Sequence, residues 1–192
     1  MTFVLLSATL WGGTGLFEAP TTECLPGGTL RVTASEAGKR GVEVFALDVG
    51  FSDDFEVGAS RWRLEGREKG VAVNFKLRLL RERRGLPSVA VGGRDIGSGV
   101  LSEPERYMVL GKGLGRRGAL YLGVLDGPRG SEAIGGVSFK VSISTAFMAD
   151  FRGGKVNIGV EFRVPFLDLF SKWAVLDVGG DRDLAVWVGW RL

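Results

Sequence analysis

The sequence predicts an all-β protein: an antiparallel, up-and-down transmembrane β-barrel of eight to twelve strands. Three observations predict it. Apolar and polar residues alternate with period two in runs of about ten residues, the pattern of a strand with one greasy and one polar face. The chain holds 31 glycines, which weaken helices, and only six prolines, too few for a disordered Pro/Gly-rich chain. No stretch reaches the ~20 apolar residues of a membrane-crossing helix. If this chain spans a membrane it must therefore close into a barrel, because lipid offers no partner to free backbone N–H and C=O groups.

Residues 1–27 are set apart as an N-terminal segment, expected to be periplasmic or to supply a barrel plug or an extra strand. Within it, Thr2–Leu10 is apolar but lacks a basic leading region, so no complete signal peptide is visible. The barrel is assigned to residues 28–192. Weaker strands are expected at 28–36, 41–51 and 54–64. The clearest strand follows: Val71, Val73, Phe75, Leu77 and Leu79 fall on one face, with Asn74, Lys76 and Arg78 on the other. Further strands are expected at 87–95, 105–113 and 118–126. Alternation returns with Val137, Phe139 and Val141 against Ser138 and Lys140, then with Val156, Ile158 and Val160 against Asn157, Glu161 and Arg163. After a weaker strand at 172–178, the last run places Leu184, Val186, Val188, Trp190 and Leu192 on one face, and Trp187 interrupts its polar face. Turn chemistry separates the runs at Ser52-Asp53-Asp54, at 66–70, at 115–118 and at 179–182. Connections 95–105 and 126–136 read as long and 114–118 as short, as in a barrel with turns at one end and loops at the other. The count reaches about ten or eleven strands; an even number is expected of an outer-membrane barrel, and Thr2–Leu10 is a candidate for a further one.

Alternation does not say which face is inside. Strands of about ten residues match the ~9–11 needed to cross a bilayer at a tilt. The polar face mixes both signs of charge with Ser, Asn and Gly, which suits a lumen. Lipid outside then makes Val71, Val73, Phe75, Leu77, Val137, Phe139, Val141, Val156, Ile158, Val160, Val186 and Val188 the lipid-facing band. Lys76, Arg78, Arg94, Asp95, Lys112, Lys140, Glu161 and Arg163 become a lumen charge network. Trp62, Tyr107, Trp173 and Trp190 lie near run ends, where an interfacial girdle would use them. The alternative is a soluble, calyx-like barrel binding an apolar small molecule.

The residues assign no reaction. Histidine is absent, which removes imidazole bases and ligands, and Cys24 is the single cysteine, so neither a disulfide nor a thiolate metal cluster forms within the chain. No metal site or cofactor is expected. The net charge of +3 is spread along the chain, and the densest basic run, Arg81 to Arg84, reads as a solvated turn rather than a nucleic-acid contact. Gly111-Lys112-Gly113-Leu114-Gly115 lacks the spacing of a phosphate loop. Glu103 and Glu105 flank Pro104 and read as a solvated loop; Asp53-Asp54 and Asp181 with Asp183 read as exposed turns. Arg94 and Asp95 read as an ion pair at a strand end, structural or in touch with a sugar or ion.

Lys76-Leu77-Arg78-Leu79-Leu80, the run Leu86-Pro87-Ser88-Val89-Ala90-Val91-Gly92-Gly93-Arg94-Asp95-Ile96-Gly97-Ser98-Gly99, and then Tyr107 and Lys112 resemble the YjbH-type family of outer-membrane proteins linked to exopolysaccharide biosynthesis. Gly12, Gly15, Leu16, Pro20, Thr21, Leu25-Pro26 and Gly28-Thr29-Leu30 resemble it too, so the likeness covers roughly residues 11–125. It implies a bacterial outer-membrane barrel with a structural, anchoring or limited-passage role and a tie to surface polysaccharide. The expected partners are outer-membrane lipid and a polysaccharide or envelope protein, with no nucleic acid.

Overall fold

The computed structural model describes residues 15–39, 41–180 and 182–192. Twelve strands run through them: β1 (Leu30–Ala37), β2 (Val42–Ser52), β3 (Phe55–Leu64), β4 (Arg67–Leu80), β5 (Ser88–Arg94), β6 (Glu105–Leu114), β7 (Gly118–Gly127), β8 (Gly130–Lys140), β9 (Thr145–Arg152), β10 (Lys155–Val164), β11 (Leu169–Leu176) and β12 (Asp183–Arg191). Each pairs antiparallel with its sequence neighbours, and β1 pairs with β12 to close the barrel. Closure satisfies every edge, which is the condition for a sheet to sit in lipid. Leu30 and Leu192 exchange backbone hydrogen bonds of 2.9 and 2.7 Å, so both ends of the wall meet at one rim, here the terminal end.

The expected antiparallel barrel is thus found, with an even strand number and two corrections to its parts. The expected loop 126–136 is wall: β7 and β8 pair up to Gly127↔Gly130, leaving a two-residue turn. The run Thr145–Arg152 went unread as a strand because its inward face carries Ala146 and Met148, so polarity does not alternate in its first half. The candidate strand Thr2–Leu10 lies outside the described residues. Of the two long connections expected, only 95–104 is long. Asp95 turns it with φ 54°, and its carboxylate accepts hydrogen bonds from the Gly99 and Val100 N–H groups at 2.8 and 2.9 Å.

The wall sorts residues by parity. In β4, Val71, Val73, Phe75, Leu77 and Leu79 face out, and Ala72, Asn74, Lys76 and Arg78 face in. The outward positions form a belt of exposed apolar side chains around the barrel, including Leu47, Val73, Leu110, Leu122, Val137, Phe147, Ile158 and Val188. Facing inward are charged and small residues together with Trp62, Tyr107, Tyr121 and Trp187. Eight strands enclose only their own side chains, while sixteen or more leave a channel. Twelve lie between, and here a segment of the chain itself occupies the space.

Candidate functional site

That segment runs from Gly15 to Pro26. Gly15 bridges Pro20, and the Leu16 N–H donates to the Ala19 carbonyl at 3.0 Å, so residues 16–19 form a tight turn. The turn docks on one carboxylate. The N–H groups of Phe17, Glu18 and Ala19 all donate to Asp150 Oδ2, at 2.8, 2.7 and 2.9 Å. Asn157 Nδ2 donates to the other Asp150 oxygen at 2.7 Å and to Glu18 Oε2 at 3.3 Å. Lys172 Nζ donates to the Gly15 carbonyl at 2.7 Å, and the Phe17 ring lies 5.5 Å from that of Trp187. Further along, Thr22 Oγ1 meets Ser88 Oγ at 2.7 Å, Tyr121 donates to Glu23, and Lys76 Nζ donates to the Glu23 carbonyl at 3.0 Å. The Leu25 N–H donates to Glu56 at 2.7 Å, and Glu56 pairs with Lys76 at 3.5 Å. A backbone buried without a ladder must find its partners elsewhere, and these side chains of the wall supply them.

The wall is cut away to admit it. A Cβ on Gly50 would lie 2.1 Å from the Pro26 carbonyl oxygen, and on Gly111 2.3 Å from Thr22 Oγ1. One on Gly136 would lie 2.3 Å from Leu16, and on Gly159 2.7 Å from Phe17. Any larger residue at these four inward positions overlaps the docked segment. This explains part of the glycine content that first argued against helices.

Two polar regions flank the docked segment. Toward the end opposite the termini, Glu105 pairs with Arg94 and with Arg152 at 2.6 Å, and Arg152 pairs with Glu132 at 3.0 Å. Arg94 stacks over the Trp62 ring at 6.0 Å. Ions this deep persist only when paired. At the terminal end the lumen opens into a cavity of about 370 Å³ beside the docked segment. Five cations line it, Arg31, Lys140, Arg163, Lys172 and Arg191, against the carboxylates of Glu23, Glu161 and Asp168. At the same rim, outside the strands, Asp54 accepts hydrogen bonds from Arg81 and Arg78, both at 2.7 Å, which pull its pKa down to about 2.

The residues expected to form one lumen network fall into separate groups. Lys76 sits against the docked segment at Glu23, Arg94 in the opposite-end cluster, and Lys140, Glu161 and Arg163 at the terminal-end cavity. Arg78 reaches the rim at Asp54. Arg94 and Asp95 do not pair with each other: Arg94 binds Glu105, and Asp95 caps its own loop. Lys112 is not in the lumen, since it shares outward parity with Met108 and Leu110 and pairs with Glu82 at 3.0 Å. Glu105, expected in a solvated loop, is buried on β6. Trp62 and Tyr107 are not at an outer girdle: both face inward, 6% exposed, on the parity of Ser60 and Val109. Trp173 and Trp190 lie on the outer wall. Val141 lies just past β8, where its N–H donates to Thr145 in the β8–β9 turn. The remaining residues of the expected apolar band face outward. Asp150, Glu18 and Lys172 are not singled out by the sequence, and Asn157 is read only as a polar-face residue of its strand. Strand parity marks Asn157 and Lys172 as inward, but nothing local marks a partner more than a hundred residues away.

No curated protein matches the chain by sequence. Among solved structures, the KdgM porin superposes with a TM-score of 0.61 at 8% identity, covering 85% of this chain and 97% of the porin. A KdgM porin in complex with disordered oligogalacturonate gives the same values. At that identity the likeness concerns the fold alone, a closed porin-like barrel. The sequence itself carries more: the family model described as exopolysaccharide biosynthesis protein YbjH matches residues 7–166. That match spans the docked segment, the carboxylate that holds it and ten of the strands that enclose it, and the chain belongs to the YjbH exopolysaccharide biosynthesis family.

Proposed function

We propose that this chain is a non-catalytic outer-membrane barrel, comprising a wall at 28–192 and a plug within 1–27, that anchors surface polysaccharide or gives it limited passage. The observation that carries the reading is the inverted wall: exposed apolar side chains outside, and ion pairs with a docked stretch of the chain's own backbone inside. A soluble calyx for an apolar ligand would need the reverse. In this reading Val71, Val73, Phe75, Leu77, Val137, Phe139, Val156, Ile158, Val160, Val186 and Val188 meet lipid, with Trp173 and Trp190 among the aromatics near its headgroups. Lys76, Arg94, Lys140, Glu161 and Arg163 stay in the lumen. Family membership supports the tie to exopolysaccharide, and the oligogalacturonate complex of a KdgM porin supports a saccharide as the passenger.

The test is refolding with and without detergent micelles, followed by gel migration unheated and boiled. A β-rich, heat-modifiable band formed only in micelles is expected, with low conductance in planar bilayers while the plug is seated. A β-rich monodisperse monomer without detergent would overturn the membrane reading.

A further inference from the structure

At the terminal end the cavity beside the plug continues into a rim cleft of about 520 Å³, the two sharing Lys140, Glu161 and Arg163. Both volumes lie within the roughly 300–1,000 Å³ of ligand sites. The cleft is bounded by the β6–β7 turn, which brings Arg116 and Arg117, and by the β8–β9 turn, which brings Ser142 and Ser144. Its charge differs from the rest of the lumen. The opposite-end cations Arg94 and Arg152 are each matched by buried carboxylates. Arg163 shares Glu161 with Lys172 at 3.0 and 3.8 Å. Arg116, Arg117 and Lys140 enter no ion pair among the described residues. In the adjoining cavity the Phe170 ring lies across Gly189, where a Cβ would approach it to 2.3 Å.

Resting on the membrane reading above, we propose that this cleft and cavity bind an acidic saccharide chain entering from the terminal end. Its carboxylates meet Arg116, Arg117 and Lys140. The guanidinium forks suit carboxylate geometry. The serine hydroxyls suit sugar hydroxyls, and the Phe170 ring offers an apolar surface to a sugar's C–H face. A neutral glycan would leave the three cations without counter-charge. A lipid headgroup is disfavoured because Lys140, Ala146, Glu161 and Arg163 share inward parity and so face away from the outer apolar belt.

The full chain, refolded in zwitterionic micelles and verified by heat-modifiable migration, is titrated by calorimetry with a galacturonate hexamer and with maltohexaose. Selective binding of the uronate, weakening as salt rises, is expected. The combined Arg116→Ser, Arg117→Ser and Lys140→Ser variant should bind at least about tenfold more weakly. The Arg67→Ser, Lys69→Ser variant, at the opposite end, should bind like the parent. Equal binding of both hexamers, no uronate binding, an unaffected triple variant, or binding only of phosphatidylglycerol mixed into the micelles would each overturn the proposal. These failures leave the membrane reading standing if the barrel still forms only in micelles; a detergent-free monomer removes both.

Discussion

Asp150→Ala is the sharpest perturbation of the plug. One carboxylate oxygen takes three backbone N–H groups of the Phe17–Ala19 turn, and the other takes Asn157. Hydrogen bonds to a charged acceptor contribute roughly 1.5–3 kcal/mol each, and a buried donor left without a partner costs about 1–3 kcal/mol. Three such bonds set an upper range near 5–9 kcal/mol. Water entering the vacated space, and loss of the desolvation cost of Asp150 itself, reduce this to about 3–5 kcal/mol. The loss falls on seating of the plug rather than on the wall, whose ladder bonds are untouched. A shift of about 3 kcal/mol changes the seated-to-unseated ratio on the order of a hundredfold. The assay pairs single-channel conductance with amide exchange at residues 16–19, after confirming heat-modifiable migration. Frequent openings and faster exchange are expected. Asp150→Asn, which keeps one acceptor oxygen without the charge, should fall between. A folded Asp150→Ala barrel with unchanged exchange and no openings would refute the view that this carboxylate seats the plug.

Gly50→Ala should unseat the plug from the other side, because the three nearest atoms to its new Cβ, the closest at 2.1 Å, all belong to Leu25 and Pro26; parental conductance would contradict this. Val73→Lys, in the middle of β4, should cost about 2–4 kcal/mol in lipid, whereas Val141→Lys, at the β8–β9 turn, should cost about 0–1 kcal/mol. Equal urea midpoints for the two variants in vesicles would count against the outer belt as the lipid face. Asp54 should stay ionised well below its ordinary pKa of 3.8, its folded value being about 2. Its stabilising pairing with Arg81 and Arg78 is therefore complete above about pH 4 and lost as pH falls through 2, and a carbon-detected titration placing it near 3.8 would break that assignment. Thr22→Cys with Ser88→Cys, in a Cys24→Ala background, replaces hydroxyls 2.7 Å apart. Oxidation should keep even Asp150→Ala silent and reduction should release it, while openings that ignore the redox state would show that conduction does not need the plug to move.

Much of the wall was legible because a period-two pattern survives wherever one face is apolar throughout, as in Val71–Leu79. It failed where function fills the interior with apolar groups. Ala146 and Met148 blur β9, and Trp187 interrupts β12 because it packs on Phe17. Gly135-Gly136 imitates a turn. In the barrel a Cβ on Gly135 would meet the Phe151 ring and one on Gly136 would meet Leu16, so both are cleared space within a strand. Trp62 and Tyr107 sit near run ends, a placement that fits an outer girdle and an inner wall equally; only their shared parity with Ser60, Glu56 and Val109 decides. The docking of Phe17 on Asp150 spans 133 positions, and nothing in the local pattern of either segment signals the other.

The link from the docked segment to the wall is short. Between Pro26 and β1 lie only Gly27, Gly28 and Thr29, with Gly28 at φ 78° and hydrogen-bonded to the Gly50 carbonyl at 2.8 Å. Leu25 and Glu56 lie near this rim, whereas Phe17 and Asp150 lie deeper, toward the opposite end. Traced back from the terminal end, the segment therefore runs inward from Pro26 to the turn at residues 16–19. A ligand arriving from the opposite end meets the Arg94–Glu105–Arg152 cluster. A ligand at the terminal end meets Glu23 and Leu25 of the docked segment in the cavity wall. The proposed acidic ligand thus meets the docked segment at the terminal end, where Arg116, Arg117 and Lys140 also lie.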